Sequence, residues 1–168
     1  MRHGIRSLGT PSRGKKRVGL SAALGAGIAA AGVLALAPAA GAVTPTTATI
    51  DFDCGSFGSG NATLTASQNG TAATIELSTS AITAPIDVGA GSVNSTLSLT
   101  NHGSGAVQFT GSSNPTIPAG SAVSTGPLTG TVAAGDSLEA TSLTVVVFGV
   151  TATCTATTTQ APGPFVFD

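Results

Sequence analysis

The sequence predicts an all-β fold: a Greek-key, immunoglobulin-like β-sandwich of about eight or nine short strands. Three observations predict it. From position 48 onward Thr, Val, Ala, Ser and Gly dominate, and turn residues recur every eight to twelve positions or so. Short runs alternate polar and apolar residues, without a helical period. Two connections rich in Pro or Gly, residues 78–92 and 111–126, are long enough to cross from one sheet to another.

A leader segment precedes this β-rich part. Every lysine and arginine lies within the first 17 residues, and the uncharged run "VGLSAALGAGIAAAGVLALAPAAGA" follows. A basic start, an apolar run and a small-residue end are typical of a secretory signal peptide. We expect residues 1–42 to be removed by cleavage between Ala42 and Val43. An uncleaved membrane anchor, or cleavage after Ala39, is the alternative.

Cleavage leaves a linker at residues 43–47 and one domain at residues 48–168, which would be secreted from a bacterium and either diffuse freely or stay at the cell wall. All seven Asp and Glu residues remain and no Lys or Arg does, so its net charge is −7. Such a surface does not neutralise phosphates, which argues against nucleic acid and anionic membranes as partners.

The first strand comes from "TIDFDC". In an extended chain alternate side chains share a face, so Ile50, Phe52 and Cys54 point inward while Asp51 and Asp53 point to solvent. We therefore expect the first cysteine to lie against the core.

The stretch "NATLTASQNGTAATIEL" predicts a hairpin. Asn69-Gly70 suits a two-residue type I′ turn, and pairing outward from it places Leu64 opposite Ile75 on an entirely apolar face. Turn chemistry and hydrophobic alternation thus indicate the same two strands.

Four further stretches predict the middle and the end of the domain. "SVNSTLSLT" and "AVQFTG" alternate as strands, and "PLTGTVAAGDSLEA" predicts two strands around an Ala-Gly-Asp turn. "PFVFD" offers a short final strand with Phe165 and Phe167 in phase. A second hairpin, "SLTVVVFGVTATCTA", turns at Phe148-Gly149 and places Leu143 opposite an inward Cys154.

The two cysteines are therefore predicted to form a disulfide. Both occupy the inward phase of strands near the two ends of the domain, and an even cysteine pair in an exported protein is most simply a bridge. A Cys54–Cys154 bond closes a loop of about 100 residues, for which loop-closure entropy gives roughly 4.7 kcal/mol.

No catalytic, cofactor-binding or metal-binding residue is predicted. Beyond the leader the only histidine is His102, so a zinc site lacks ligands. Serines and threonines are abundant, but no G-x-S-x-G motif is present, so no catalytic triad is indicated. Asp51, Asp53, Asp136 and Glu139 are the carboxylates that a calcium site or a glycosidase would use. Their spacing fits no calcium loop, and without Trp or Tyr the chain lacks the usual sugar platforms.

The stretches "DCGSFGSG", "GPLTGTVAAGDSLEATSLTVVVFGVTATC" and "PGPFVFD" resemble a group of small secreted actinobacterial proteins, most of uncharacterised function. That resemblance implies a secreted β-sandwich and assigns no site residue. In composition the chain is also similar to the neocarzinostatin-type apoproteins, which are acidic immunoglobulin-like sandwiches. Those carry two disulfides, whereas this chain has cysteines for one.

The function predicted from these observations is a non-catalytic extracellular or cell-surface module with a structural or protein-interaction role. Its partner would be a protein or a component of the cell envelope. The alternative is a carrier for an apolar small molecule, held between the sheets or in the loops around residues 55–60 and 111–126, with Phe57 as the best exposed aromatic. A small hydrolase of glycosidase type comes third.

Overall fold

A computed structural model describes residues 42–168 of the chain. The predicted signal peptide therefore lies outside the described residues, apart from Ala42. Within the described part there are nine β-strands and one short 3-10 helix, Gly55–Phe57, and no helix is long and apolar enough to cross a membrane. The strands are β1 Thr47–Asp53, β2 Ser59–Asn69, β3 Ala72–Thr83, β4 Val93–Asn101, β5 Gly105–Gly111, β6 Ala122–Thr131, β7 Ser137–Val147, β8 Val150–Ala156 and β9 Phe165–Val166.

All nine strands belong to one antiparallel sheet that closes on itself. The order is β4-β5-β6-β3-β2-β1-β8-β7, β7 pairs back with β4, and β9 adds to β7. The all-β class, the strand number and the single disulfide are confirmed. The hydrogen bonding differs from the two separate sheets of the predicted sandwich. The β5–β6 and β1–β8 pairings join all the strands into one closed barrel.

The β2–β3 hairpin has the predicted strands and a different register. Leu64 pairs with Leu77, not with Ile75, because the turn residues are Gly70 and Thr71. Gly70 has φ +61° and Asn69 does not have positive φ, which matches a type II′ turn with glycine first. The pairing is shifted by two residues, so the same side chains still face inward.

The β7–β8 hairpin has the predicted register. It turns at Phe148-Gly149, and Leu143 lies opposite Cys154. Both turn residues have positive φ, +51° and +79°, as a type I′ turn requires. By contrast, the two strands predicted around the Ala-Gly-Asp turn, β6 and β7, do not pair: β6 joins β3 and β5, whereas β7 joins β4, β8 and β9.

The core fills the inside of the closed sheet with the inward residues of every strand. The predicted inward positions Ile50, Phe52 and Cys54 are buried, as are Phe165 and Phe167 at the other end of the domain. Alternation of polar and apolar residues therefore decides the inner face, as expected for a sheet with one face in water.

Residues 43–47, predicted as a linker, are packed onto the domain. Val43 is buried, and the backbone of Thr44 exchanges two hydrogen bonds with Val166 of β9, at 2.9 and 2.8 Å. Packing onto the domain thus includes residues as early as Val43, whereas Ala42 is exposed.

Candidate functional site: an apolar cavity at one end of the barrel

A cavity of about 390 Å³ opens at one end of the closed sheet. It lies where β3 and β7 end and where β4 and β8 begin. Hydrophobic side chains dominate its lining, which consists of Ser56, Phe57, Ile82, Thr83, Ala84, Pro85, Ile86, Val88, Val93, Ile117, Val123, Val145, Val147, Phe148, Val150 and Ala152. The site is therefore an apolar container with few polar groups.

The floor of the cavity belongs to the core. Val93 on β4 and Val145 on β7 are buried, and Ala152 on β8 lies opposite Val145 in the β7–β8 ladder. These residues face inward because the strand alternation places them there. The floor is consequently as rigid as the sheet itself.

One wall is formed by the two connections that leave β3 and β5. Val88 and Ile117 exchange a pair of backbone hydrogen bonds of 2.8 and 2.9 Å, and both side chains are buried. A further bond of 2.7 Å joins the Gly120 amide to the Ala84 carbonyl. Both connections are thus fixed in place by their backbones, although neither forms a long strand there.

A further part of the wall carries Phe57 in the short 3-10 helix after β1. Its loop is closed by the Cys54 amide, which donates to the Gly58 carbonyl at 2.8 Å. Cys54 is also disulfide-bonded to Cys154, so the covalent bridge lies at the base of the loop that presents Phe57. The confirmed disulfide therefore supports one side of the cavity.

The rim of the cavity is apolar and open to solvent. Of the five large hydrophobic residues that are exposed in residues 42–168, four line this cavity. They are Phe57 (44% exposed), Ile86 (57%), Phe148 (66%) and Val150 (55%). Clusters of exposed hydrophobic side chains are typical of ligand-binding grooves and of interaction surfaces.

The carboxylates considered from the sequence accept hydrogen bonds from nearby loops and strands of the fold. Asp53 accepts from the Gly55 amide at 2.9 Å, Asp136 from the Ala133 amide at 2.8 Å, and Glu139 from the Gln160 amide at 3.3 Å. Asp51 accepts from the Asn61 side-chain amide at 3.1 Å. Among residues 42–168 no three His, Cys, Asp or Glu side chains come together in a way that could hold a metal ion.

His102 lies at the far end of the barrel from the cavity. It follows β4, whose first residue, Val93, lines the cavity. Its backbone has φ +48°, and its Nε2 is 3.1 Å from the Gly135 carbonyl oxygen. The His102 ring therefore contacts a turn. Its hydrogen bond joins it to a backbone carbonyl and not to a nucleophile.

The sequence reasoning found part of the site. Phe57 and Ile117 belong to the two loops expected for an apolar ligand, and both line the cavity. Ile86, Phe148 and Val150 were missed. An aromatic residue at a hairpin position that favours Asn or Gly was the available signal for Phe148.

Comparison of the chain with protein-family models, with curated proteins and with solved structures finds no match. The resemblances described above stay predictions, and the functional argument depends on the geometry of the cavity.

Proposed function

We propose that this protein is a secreted, non-catalytic binding protein that carries an apolar small molecule in the cavity at the end of its barrel. The observation that carries the proposal is the combination of an open apolar cavity with four large hydrophobic side chains exposed at its rim. Small-molecule sites are commonly apolar clefts of about 300–1,000 Å³, and this cavity lies within that range.

The exposed side chains at the rim give an energetic reason for ligand binding. Fully burying a side chain of this size stabilises by about 1.5–3 kcal/mol relative to leaving it in water. Phe148 and Ile86 forgo more than half of that burial in the free protein. An apolar ligand seated between them would recover part of it, so the rim favours binding.

Phe148 adds a second argument. Its φ of +51° is a conformation that costs an ordinary residue about 1 kcal/mol, and its ring is largely exposed, so packing does not offset that cost. Strained residues concentrate at ligand-binding positions. A phenylalanine kept at the tip of a hairpin beside an apolar cavity is consistent with contact to a ligand.

The proposal is tested with Nile red, a neutral apolar dye whose fluorescence rises and shifts to the blue in apolar surroundings. We expect it to bind the purified protein, and we expect Phe148→Asn to weaken that binding. The same substitution should leave the hairpin folded, because Asn tolerates positive φ. Unfolding midpoints in urea check that the variant is at least as stable as the parent.

The matched control is Val166→Thr, which alters an exposed hydrophobic residue of β9 that does not line the cavity. It should leave dye affinity unchanged. Absence of dye binding by the parent protein, or equal losses in the two variants, would contradict a carrier function.

An exposed apolar rim also favours the second candidate, an extracellular structural or protein-interaction module. In that case the rim would bury against a protein or cell-envelope partner, and the buried area would approach that of a standard interface. Retention of the parent protein on envelope fractions, lost in Phe148→Asn and kept in Val166→Thr, would favour this candidate over the carrier.

Secretion and a Greek-key sandwich are part of the same proposal. The disulfide supports an oxidising compartment outside the cytosol. The barrel is held together at one side by a single β5–β6 pair and at another by two β1–β8 pairs, so two four-stranded halves are thinly joined. We propose that the closed sheet is flattened, so that these two halves face each other as in a Greek-key, immunoglobulin-like sandwich.

A further inference from the structure

We infer that the ligand of this cavity is an amphipathic organic cation: an apolar body that fills the cavity and an ammonium group that stays at its mouth. The inference rests on the proposed carrier function and adds to it the charge of the ligand. It is carried by the distribution of charged and aromatic residues around the cavity.

Anionic ligands are disfavoured by the composition of the domain. No lysine or arginine occurs in residues 42–168, so no such side chain can pair with a fatty-acid carboxylate there. The one histidine of this part, His102, follows the end of β4 remote from the cavity. A carboxylate at the mouth would therefore lose hydration without gaining a counter-charge.

Two carboxylates belong to segments that line the cavity, although neither of these side chains is itself part of the lining. Asp87 lies between Ile86 and Val88, which both line the cavity, and its Oδ1 accepts from the Ala119 amide at 2.8 Å. Asp53 precedes the loop that carries Phe57. Both aspartates are exposed, and neither has an ion-pair partner, since residues 42–168 contain no lysine or arginine. Each of these two segments therefore adds one unpaired negative charge close in sequence to lining residues.

The rim also presents two aromatic rings. Phe57 and Phe148 line the cavity and are partly exposed. A ligand ammonium near the face of a phenylalanine is attracted by the ring quadrupole, by about 0.5–1 kcal/mol at exposed sites. Apolar walls, an aromatic rim and unpaired acids in the adjoining segments thus suit the two parts of one amphipathic cation.

The test is a titration of the isotope-labelled protein, purified after expression of the full chain, with three octyl compounds: octyltrimethylammonium, octanol and octanoate. Amide chemical shifts report both affinity and location. We expect all shifts to concentrate at cavity residues such as Ile86 and Val145. The ammonium compound should bind about twofold to fivefold more tightly than octanol, the range that exposed charge interactions give, and octanoate should bind most weakly.

Asp87→Asn and Glu76→Gln separate a local effect from a global one. Both remove one negative charge, but Glu76 lies six residues before Ile82 on the same strand, roughly 20 Å along it. The asparagine introduced in Asp87→Asn keeps an oxygen that can accept from the Ala119 amide. We expect the preference for the ammonium over octanol to shrink in Asp87→Asn, by about twofold, and to persist in Glu76→Gln.

The outcomes distinguish this inference from the proposed function. If octanoate binds in the cavity as tightly as octyltrimethylammonium, the charge inference is wrong while the carrier function stands. An equal change of preference in both variants would likewise contradict it. If none of the three compounds shifts the cavity amides, the carrier function and the inference fail together.

Discussion

Two buried hydroxyl groups in the sheet have opposite surroundings. Thr125 replaces a backbone partner at an irregularity between β3 and β6: its Oγ1 accepts from the Leu77 amide at 3.2 Å and lies 2.8 Å from the Gly126 carbonyl oxygen. Ser95 on β4 is also buried, yet its Oγ has no hydrogen-bond partner among the residues that the structure describes. One hydroxyl therefore stabilises the fold, while the desolvation of the other is not compensated.

Substitution of the two residues should give opposite results. Thr125→Val keeps the shape and leaves the Leu77 amide unpaired, so it should lower the free energy of unfolding by about 1–3 kcal/mol. Ser95→Ala removes an unsatisfied group and should leave that free energy unchanged or raise it by up to about 1 kcal/mol. Urea unfolding midpoints measure both changes. An equal loss in the two variants would show that Ser95 has a partner, such as a buried water.

Gly126 permits the irregular pairing of β3 with β6, at which the Thr125 hydroxyl accepts from the Leu77 amide. Its φ is +64°, and a Cβ at this position would collide with the backbone carbonyl of Ser113. Only glycine meets both conditions. The chain can therefore pass close to the connection at residues 112–121, whose Ile117 lines the cavity.

At the scale of elements, local turns were predictable and long-range pairings were not. The β7–β8 register followed from Phe148-Gly149, because both turn residues adopt positive φ. The β2–β3 register was shifted by two residues, since Gly70 can begin a type II′ turn as readily as it can end a type I′ turn. Neither hairpin contains information about the β4–β7 ladder that closes the barrel.

The rest of the cavity lining, beyond the loops of Phe57 and Ile117, escaped prediction for the same reason. The lining comes from the ends of strands and from two connections that are joined by backbone hydrogen bonds such as the Val88–Ile117 pair, between residues far apart in the sequence. Hydrophobic alternation indicates which side chains face inward. It does not indicate where the inward side chains fail to fill the end of the barrel.

The disulfide reinforces a narrow ladder. Strand β1 pairs with β8 through Phe52–Ala156 and Asp53–Thr155, and Cys54–Cys154 occupies the next position in that register. The covalent bond thus continues a ladder of only two residue pairs. Beside it lies the loop of Phe57, so the bridge links fold stability to the cavity wall.

Removal of the bridge should therefore have a global and a local effect. We expect Cys54→Ala combined with Cys154→Ala to lower the free energy of unfolding by up to about 4.7 kcal/mol, the loop-closure value for about 100 residues. Hydrogen exchange should accelerate more at the β1 and β8 amides of this ladder than in the β2–β3 hairpin. Uniform acceleration along the whole sheet would argue that the bridge acts only through the unfolded chain.

The molecule as a whole combines a large apolar interior with charged side chains that are almost all negative. After cleavage behind Ala42 it would carry seven carboxylates and no lysine or arginine. Its surface therefore has no lysine or arginine ion pairs, and charge interactions within the folded domain are dominated by repulsion. The same imbalance underlies the charge preference proposed for the cavity.

Salt should consequently stabilise the cleaved protein. A denatured mass equal to residues 43–168 less two hydrogens identifies that form, with its disulfide intact. Between about 0.01 M and 0.15 M ionic strength the screening length falls from about 30 Å to about 8 Å, which weakens repulsion between carboxylates across the domain. We expect the melting temperature to rise, by about 4 °C for each kcal/mol of repulsion removed in a domain of this size. Sodium and potassium chloride should act equally, because screening depends on ionic strength and not on the cation. A melting temperature that falls with salt would indicate net attraction between charges, which a chain with seven acids and no lysine or arginine does not provide.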